Sequence, residues 1–133
     1  MTTLAGHVVP SLLVRDMAAT LAFYRQLGFE LTGRSNDTEP PTWAEVRRDA
    51  ASLQFFTDPP HGTPTSPVMS GTLYFSPTSV DALAAEFRAA GIEFEWGPEV
   101  MDYGMKEFAV RDPNAYLLAF SEPVPPPPSA RAR

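Results

Sequence analysis

Val14-Arg15-Asp16-Met17-Ala18-Ala19-Thr20-Leu21-Ala22-Phe23-Tyr24-Arg25-Gln26-Leu27-Gly28-Phe29 is echoed further along the chain by Pro77-Thr78-Ser79-Val80-Asp81-Ala82-Leu83-Ala84-Ala85-Glu86-Phe87-Arg88-Ala89-Ala90-Gly91-Ile92. Each copy opens on a residue, Asp16 or Ser79, whose side-chain oxygen can accept from a free amide of a first helical turn. Each closes on a glycine, Gly28 or Gly91, suited to the left-handed position that ends a helix. Between these marks the apolar residues Met17, Leu21, Tyr24, Leu27 and Val80, Leu83, Phe87, Ala90 recur at helical spacing. The spacing predicts two equivalent amphipathic helices.

Outward from the helices, strand-like runs complete the pattern. One precedes each helix, at residues 7–14 and 72–76, and three follow it, at 29–33, 42–47 and 51–57, then at 92–96, 105–111 and 116–121. Arg48-Asp49 and Asp112-Pro113-Asn114 supply turns. The expected fold class is α+β: two βαβββ modules, about 7–57 and 72–121, whose mixed β-sheets line a cleft with the helices on the outer face. Residues 58–71, rich in proline and glycine, read as the linker. Residues 1–121 read as one two-module domain and 122–133 as a disordered, Pro-rich tail.

Period-two alternation sorts the side chains between the two faces of each sheet. The sets Val8, Leu12, Val14 and Leu73, Phe75, Leu118, Phe120 are expected under the helices. The opposite face then holds Val9, Ser11, Gln54, Phe56, Thr72, Tyr74, Leu117 and Ala119. Pairing Val46 with Leu53 adds Trp43, Glu45 and Arg47 to it, and pairing Phe108 with Leu118 adds Met105, Glu107 and Ala109. An aromatic floor of Trp43, Phe56 and Tyr74, with Met105 and the acids Glu45 and Glu107, suits a planar or cationic small-molecule ligand.

Composition narrows the function classes. The 133 residues carry 10 basic and 16 acidic side chains, a formal net charge of -6, which disfavours nucleic acid as a partner. The absence of cysteine excludes thiolate metal sites and thiol nucleophiles. No apolar run approaches the length of a membrane span and no signal-type leader opens the chain, so the expected setting is cytoplasmic, without a membrane partner. His7 reads as a strand-edge residue and His61 as a loop residue. No Ser-His-Asp arrangement or phosphate-binding glycine loop occurs.

The repeated βαβββ pattern, the Asp16-to-Phe29 stretch and the run Gly104-Met105-Lys106-Glu107-Phe108-Ala109-Val110-Arg111-Asp112-Pro113-Asn114 resemble the glyoxalase/bleomycin-resistance/dioxygenase family, the vicinal oxygen chelate superfamily. The likeness spans about residues 7–121 and is greatest to its bleomycin-resistance branch. Metal-dependent members of that superfamily place His, Glu or Gln on the first and last strands of each half, and these positions fall here on Val9, Thr72, Gln54 and Ala119. Valine and alanine offer no lone pair, so the resemblance implies a metal-free protein with no cofactor. It further implies a homodimer that sequesters an antibiotic without changing it, with Pro10 matching the proline at which the N-terminal arm crosses to a partner subunit. The ligand-binding residues it suggests are Trp43, Phe56, Trp96 and Tyr103 as aromatic surfaces and Glu45, Asp102 and Glu107 as acids. Trp96 and Tyr103 flank residues 97–102, expected as a flexible Gly-Pro loop at the rim. The alternative is an enzyme or ligand sensor of the same fold acting on another small molecule; a metal-dependent lyase or dioxygenase is disfavoured by Val9 and Ala119.

Overall fold

Asp16 Oδ1 accepts from the Ala19 amide at 2.9 Å, and Ser79 Oγ accepts from the Ala82 amide at 3.1 Å. These caps start α1 (Met17–Gln26) and α2 (Val80–Ala89) where the sequence places them. Gly28 and Gly91 follow at φ +88 and +81, conformations that an L side chain resists. The structure, a computed structural model, describes residues 1–59, 62 and 64–125. His61 and residues 126–133 of the expected tail lie outside the described residues.

The chain divides into two compact units, Met1–Val68 and Met69–Arg133. In the first, β1 (Ser11–Leu13), β2 (Glu30–Arg34), β3 (Trp43–Arg48) and β4 (Ala51–Phe56) form an open sheet in the order β1-β4-β3-β2. The second has β5 (Leu73–Phe75), β6 (Trp96–Val100), β7 (Met105–Arg111) and β8 (Leu117–Pro123), in the order β5-β8-β7-β6. The first and last strands of each unit pair in parallel and the others antiparallel, so both sheets are mixed. The fold is α+β with the expected βαβββ order in each unit.

Each helix buries its apolar stripe on its own sheet. Tyr24 of α1 is fully buried, with its ring 4.9 Å from that of Phe55 on β4. In the second unit four phenylalanines stack in a row, Phe75–Phe120–Phe108–Phe94, with centroids 4.9, 5.0 and 4.6 Å apart. Phe87 of α2 meets the middle two rings edge-on, and the Arg88 guanidinium lies 4.8 Å from the outer ring, Phe94. Burying each such side chain contributes about 1.5–3 kcal/mol. Each aromatic pair adds roughly 0.5–1.5 kcal/mol more.

Four expectations need correction. The first strand is three residues, not eight, and Val8 is 93% exposed rather than packed under a helix. The sixth strand covers Trp96–Val100, so most of the expected 97–102 loop is strand. A bulge between Trp96 and Glu99 lets pairing resume after Gly97, whose φ of +80 turns the chain. The last strand runs through Glu122 and Pro123, which the sequence suggested were tail; the Glu122 carboxylate accepts from the Val80 amide at 2.9 Å, at the positive end of α2. Finally, Phe108 pairs with Phe120 and not Leu118. A slip of two residues leaves each side chain on its expected face but gives it a different partner.

Candidate functional site

In the second unit the face away from the phenylalanine stack carries a row that crosses all four strands. Its register is Trp96 on β6, Ala109 on β7, Ala119 on β8 and Tyr74 on β5. Two small residues thus lie between two large aromatics. The next row holds Glu99, Glu107 and Ser121.

Glu107 is 1% exposed, and both of its oxygens are engaged. The Tyr103 hydroxyl donates to Oε1 at 2.6 Å and the Ser121 hydroxyl to Oε2 at 3.0 Å. Among the described residues its partners are these hydroxyls and no cationic group. The Glu107 carboxylate, by accepting a hydrogen bond from the protonated Tyr103 hydroxyl, holds that hydroxyl well above the ordinary tyrosine range. Desolvation, the Glu107 charge and the Tyr74 hydroxyl push the same way. Tyr103 and Tyr74 remain 57% and 60% exposed, so the acid itself is buried while its tyrosine partner faces solvent.

Trp96 is half-buried, and its Nε1 is buried with no hydrogen-bond partner. Leaving such a donor unpaired costs about 1–3 kcal/mol. Gly97 holds the residue in place by close approach: a Cβ there would lie 2.3 Å from the Glu107 carbonyl oxygen and 2.9 Å from Phe108 Cα. Met105 is half-buried at the start of β7, opposite Pro123, and Asp102 is exposed in the turn before it.

The first unit carries a parallel arrangement. Ser11, Gln54, Glu45 and Gly33 form one row and Leu13, Phe56 and Trp43 the next. The Glu45 carboxylate accepts from the Thr32 hydroxyl at 2.9 Å and from Gln54 Nε2 at 3.3 Å. The Trp43 ring lies over Gly33, where a Cβ would come within 3.3 Å of it. Trp43, Glu45 and Phe56 are all half-buried.

Of the residues singled out by sequence, one unit therefore brings together Trp43, Glu45 and Phe56, and the other Tyr74, Trp96, Tyr103 and Glu107, with Met105 and Asp102 at the edge. Three contributors were missed. Ser121 shares a face with Ala119 by parity, and Gly97-Pro98 carries a bulge signal, so both had a trace in the sequence. Thr32 sits at the irregularity between Leu31 and Gly33, which sequence does not announce.

The donor set does not fit a resident divalent cation. In the first unit Val9 has no donor and Gln54 has one amide oxygen; in the second Thr72 has one hydroxyl and Ala119 none. Among the described residues, no three His, Asp or Glu side chains are grouped so as to hold a metal ion. No helix among them is long and apolar enough to cross a membrane.

Residues 5–120 match the family model described as Glyoxalase/Bleomycin resistance protein/Dioxygenase superfamily. Among solved structures, the chain is similar to a bleomycin-binding protein complexed with bleomycin, at 24% identity and TM-score 0.69, covering 89% of this chain and 98% of that one. It is similar to a bleomycin resistance determinant encoded on transposon Tn5, at 23% identity and TM-score 0.66, covering 90% and 98%. A third is TnmS3, an antibiotic-binding protein from Streptomyces, at 24% identity and TM-score 0.70, covering 92% and 99%. No curated protein sequence matches the chain. At these identities the structural likeness establishes a shared fold.

Proposed function

The chain belongs to the glyoxalase/bleomycin resistance protein/dioxygenase superfamily, and from that premise we propose that it binds and sequesters a planar, cationic small molecule of the bleomycin type without converting it. The observation that carries the reading is Glu107: a buried acid, bonded by two hydroxyls and no cation among the described residues, beside Tyr103, whose ring, like that of Tyr74, is exposed. A buried carboxylate without a counter-ion favours a cationic group brought by a ligand, and the flanking rings offer flat apolar surface to the rest of it. Glu45 beside Trp43 and Phe56 repeats the combination in the first unit. Neither arrangement offers a donor set for Lewis-acid work.

The proposal extends to a metal-free, cytoplasmic homodimer. Its support is the N-terminal arm, where Leu4 and Val8 are 95% and 93% exposed, apolar surface that a second copy could cover. Light scattering over a dilution series should show a dimer with no folded monomer; a stable monomer at micromolar concentration removes this part. For binding itself, calorimetric titration of bleomycin should give saturable binding that weakens with salt, with the drug recovered chemically unchanged. Absence of binding refutes the reading, and recovery of an altered drug turns it toward an enzyme.

A further inference from the structure

We infer that the buried indole N–H of Trp96 is a hydrogen-bond donor kept for the ligand, so that this site takes planar heteroaromatic molecules bearing an acceptor in preference to their hydrocarbon counterparts. The inference rests on the binding role proposed above and narrows its ligand class.

Buried polar groups in folded proteins are nearly always paired, and Trp96 Nε1 is the one buried side-chain polar atom without a partner among the described residues. Its surroundings explain why the chain does not satisfy it. The residues beside it in the row are Ala109 and Ala119, whose methyl groups accept nothing. The next row holds Glu99, Glu107 and Ser121, none of which accepts from it, and Glu107 already has a hydroxyl on each oxygen, from Tyr103 and Ser121. Backbone adjustment is blocked as well, because Gly97 presses β6 against the β7 main chain. The donor is therefore desolvated and fixed before any ligand arrives. An acceptor placed against it forms a bond at little further desolvation cost, whereas an analogue without one leaves the N–H as it was. This is the arrangement by which a site discriminates between molecules of one shape.

Quinoxaline and naphthalene make the matched probes: both are flat bicycles, and only quinoxaline carries ring-nitrogen acceptors. Naphthalene is the more apolar, so burial alone favours it and the expected preference runs against that bias. The chain has two tryptophans, Trp43 and Trp96, so a nitrogen-15 spectrum shows two indole signals, assigned with Trp43→Phe. Quinoxaline should move the Trp96 indole proton downfield and bind about fivefold tighter than naphthalene. Trp96→Phe removes ring area and donor together. Lost area weakens both probes, but the lost donor weakens quinoxaline alone, and the preference should vanish or invert. Equal binding of the two probes to the wild type, or a preference that survives Trp96→Phe, overturns the inference and leaves the binding role standing. If neither probe nor bleomycin binds the wild type, the binding role falls and the inference with it.

Discussion

Gly97→Ala and Gly91→Ala form a matched pair that separates backbone conformation from close packing. The two glycines have nearly the same backbone angle, φ +80 and +81. A Cβ at Gly91 meets nothing within 4 Å, whereas at Gly97 it falls 2.3 Å from the Glu107 carbonyl oxygen and 2.9 Å from Phe108 Cα, both main-chain atoms. Gly91→Ala should therefore cost only the conformational penalty, about 1–2 kcal/mol. Gly97→Ala bears the same penalty and must also move β6 off β7, disturbing the ladder around Trp96; a total of at least about 3 kcal/mol is expected, in the range of overpacked core substitutions. Urea denaturation followed by fluorescence reads both, and thermal midpoints should fall by about 3–5 °C per kcal/mol for a chain of this size. Bleomycin binding should be lost in Gly97→Ala, measured under conditions where it remains folded, and kept in Gly91→Ala. Equal destabilisation of the two variants would refute the claim that Gly97 is required for the approach of β6 to β7.

Three other expectations follow from the same face. Glu107→Gln should weaken a cationic ligand by roughly thirtyfold and flatten the salt dependence of binding, while a neutral ligand is spared; calorimetry at two ionic strengths checks this, and an unchanged affinity for bleomycin would place its cation elsewhere. Tyr103 has its ionisation raised by Glu107, so its bond stabilises the fold fully below pH 10 and that contribution is lost as pH rises from there toward the raised value; Tyr103→Phe should remove one late-titrating tyrosine from the alkaline ultraviolet titration and leave stability less steep in pH above 10. Elemental analysis of protein purified without chelators should find no stoichiometric transition metal, and zinc, iron, nickel or manganese at one per chain would overturn the metal-free reading.

By itself, the sequence determined the parts of this protein that local chemistry decides. Asp16 and Ser79 cap, Gly28 and Gly91 terminate, and the apolar spacing between them sets which helix face is buried, all within a few residues of one another. Strands with strong alternation were equally legible: residues 105–111 are strand from first to last, and Val46 does pair with Leu53. Membership of the family followed from the repeat and from the Gly104-to-Asn114 run. What tertiary structure alone decided was pairing. The hairpin turn after β7 holds Asp112, whose Oδ1 accepts from the amides of Asn114 and Tyr116, and it opens the ladder with Arg111 opposite Leu117. That register puts Ser121 opposite Glu107, where the expected pairing would have put Ala119. Period two preserves a side chain's face through such a slip but says nothing about its neighbour. For the same reason Gly97-Pro98 signals a bulge without placing it: an extra residue in β6 is defined only against β7. The acid's second hydroxyl and the unpaired indole N–H thus depend on how the strands meet, a long-range choice made by turn geometry and packing.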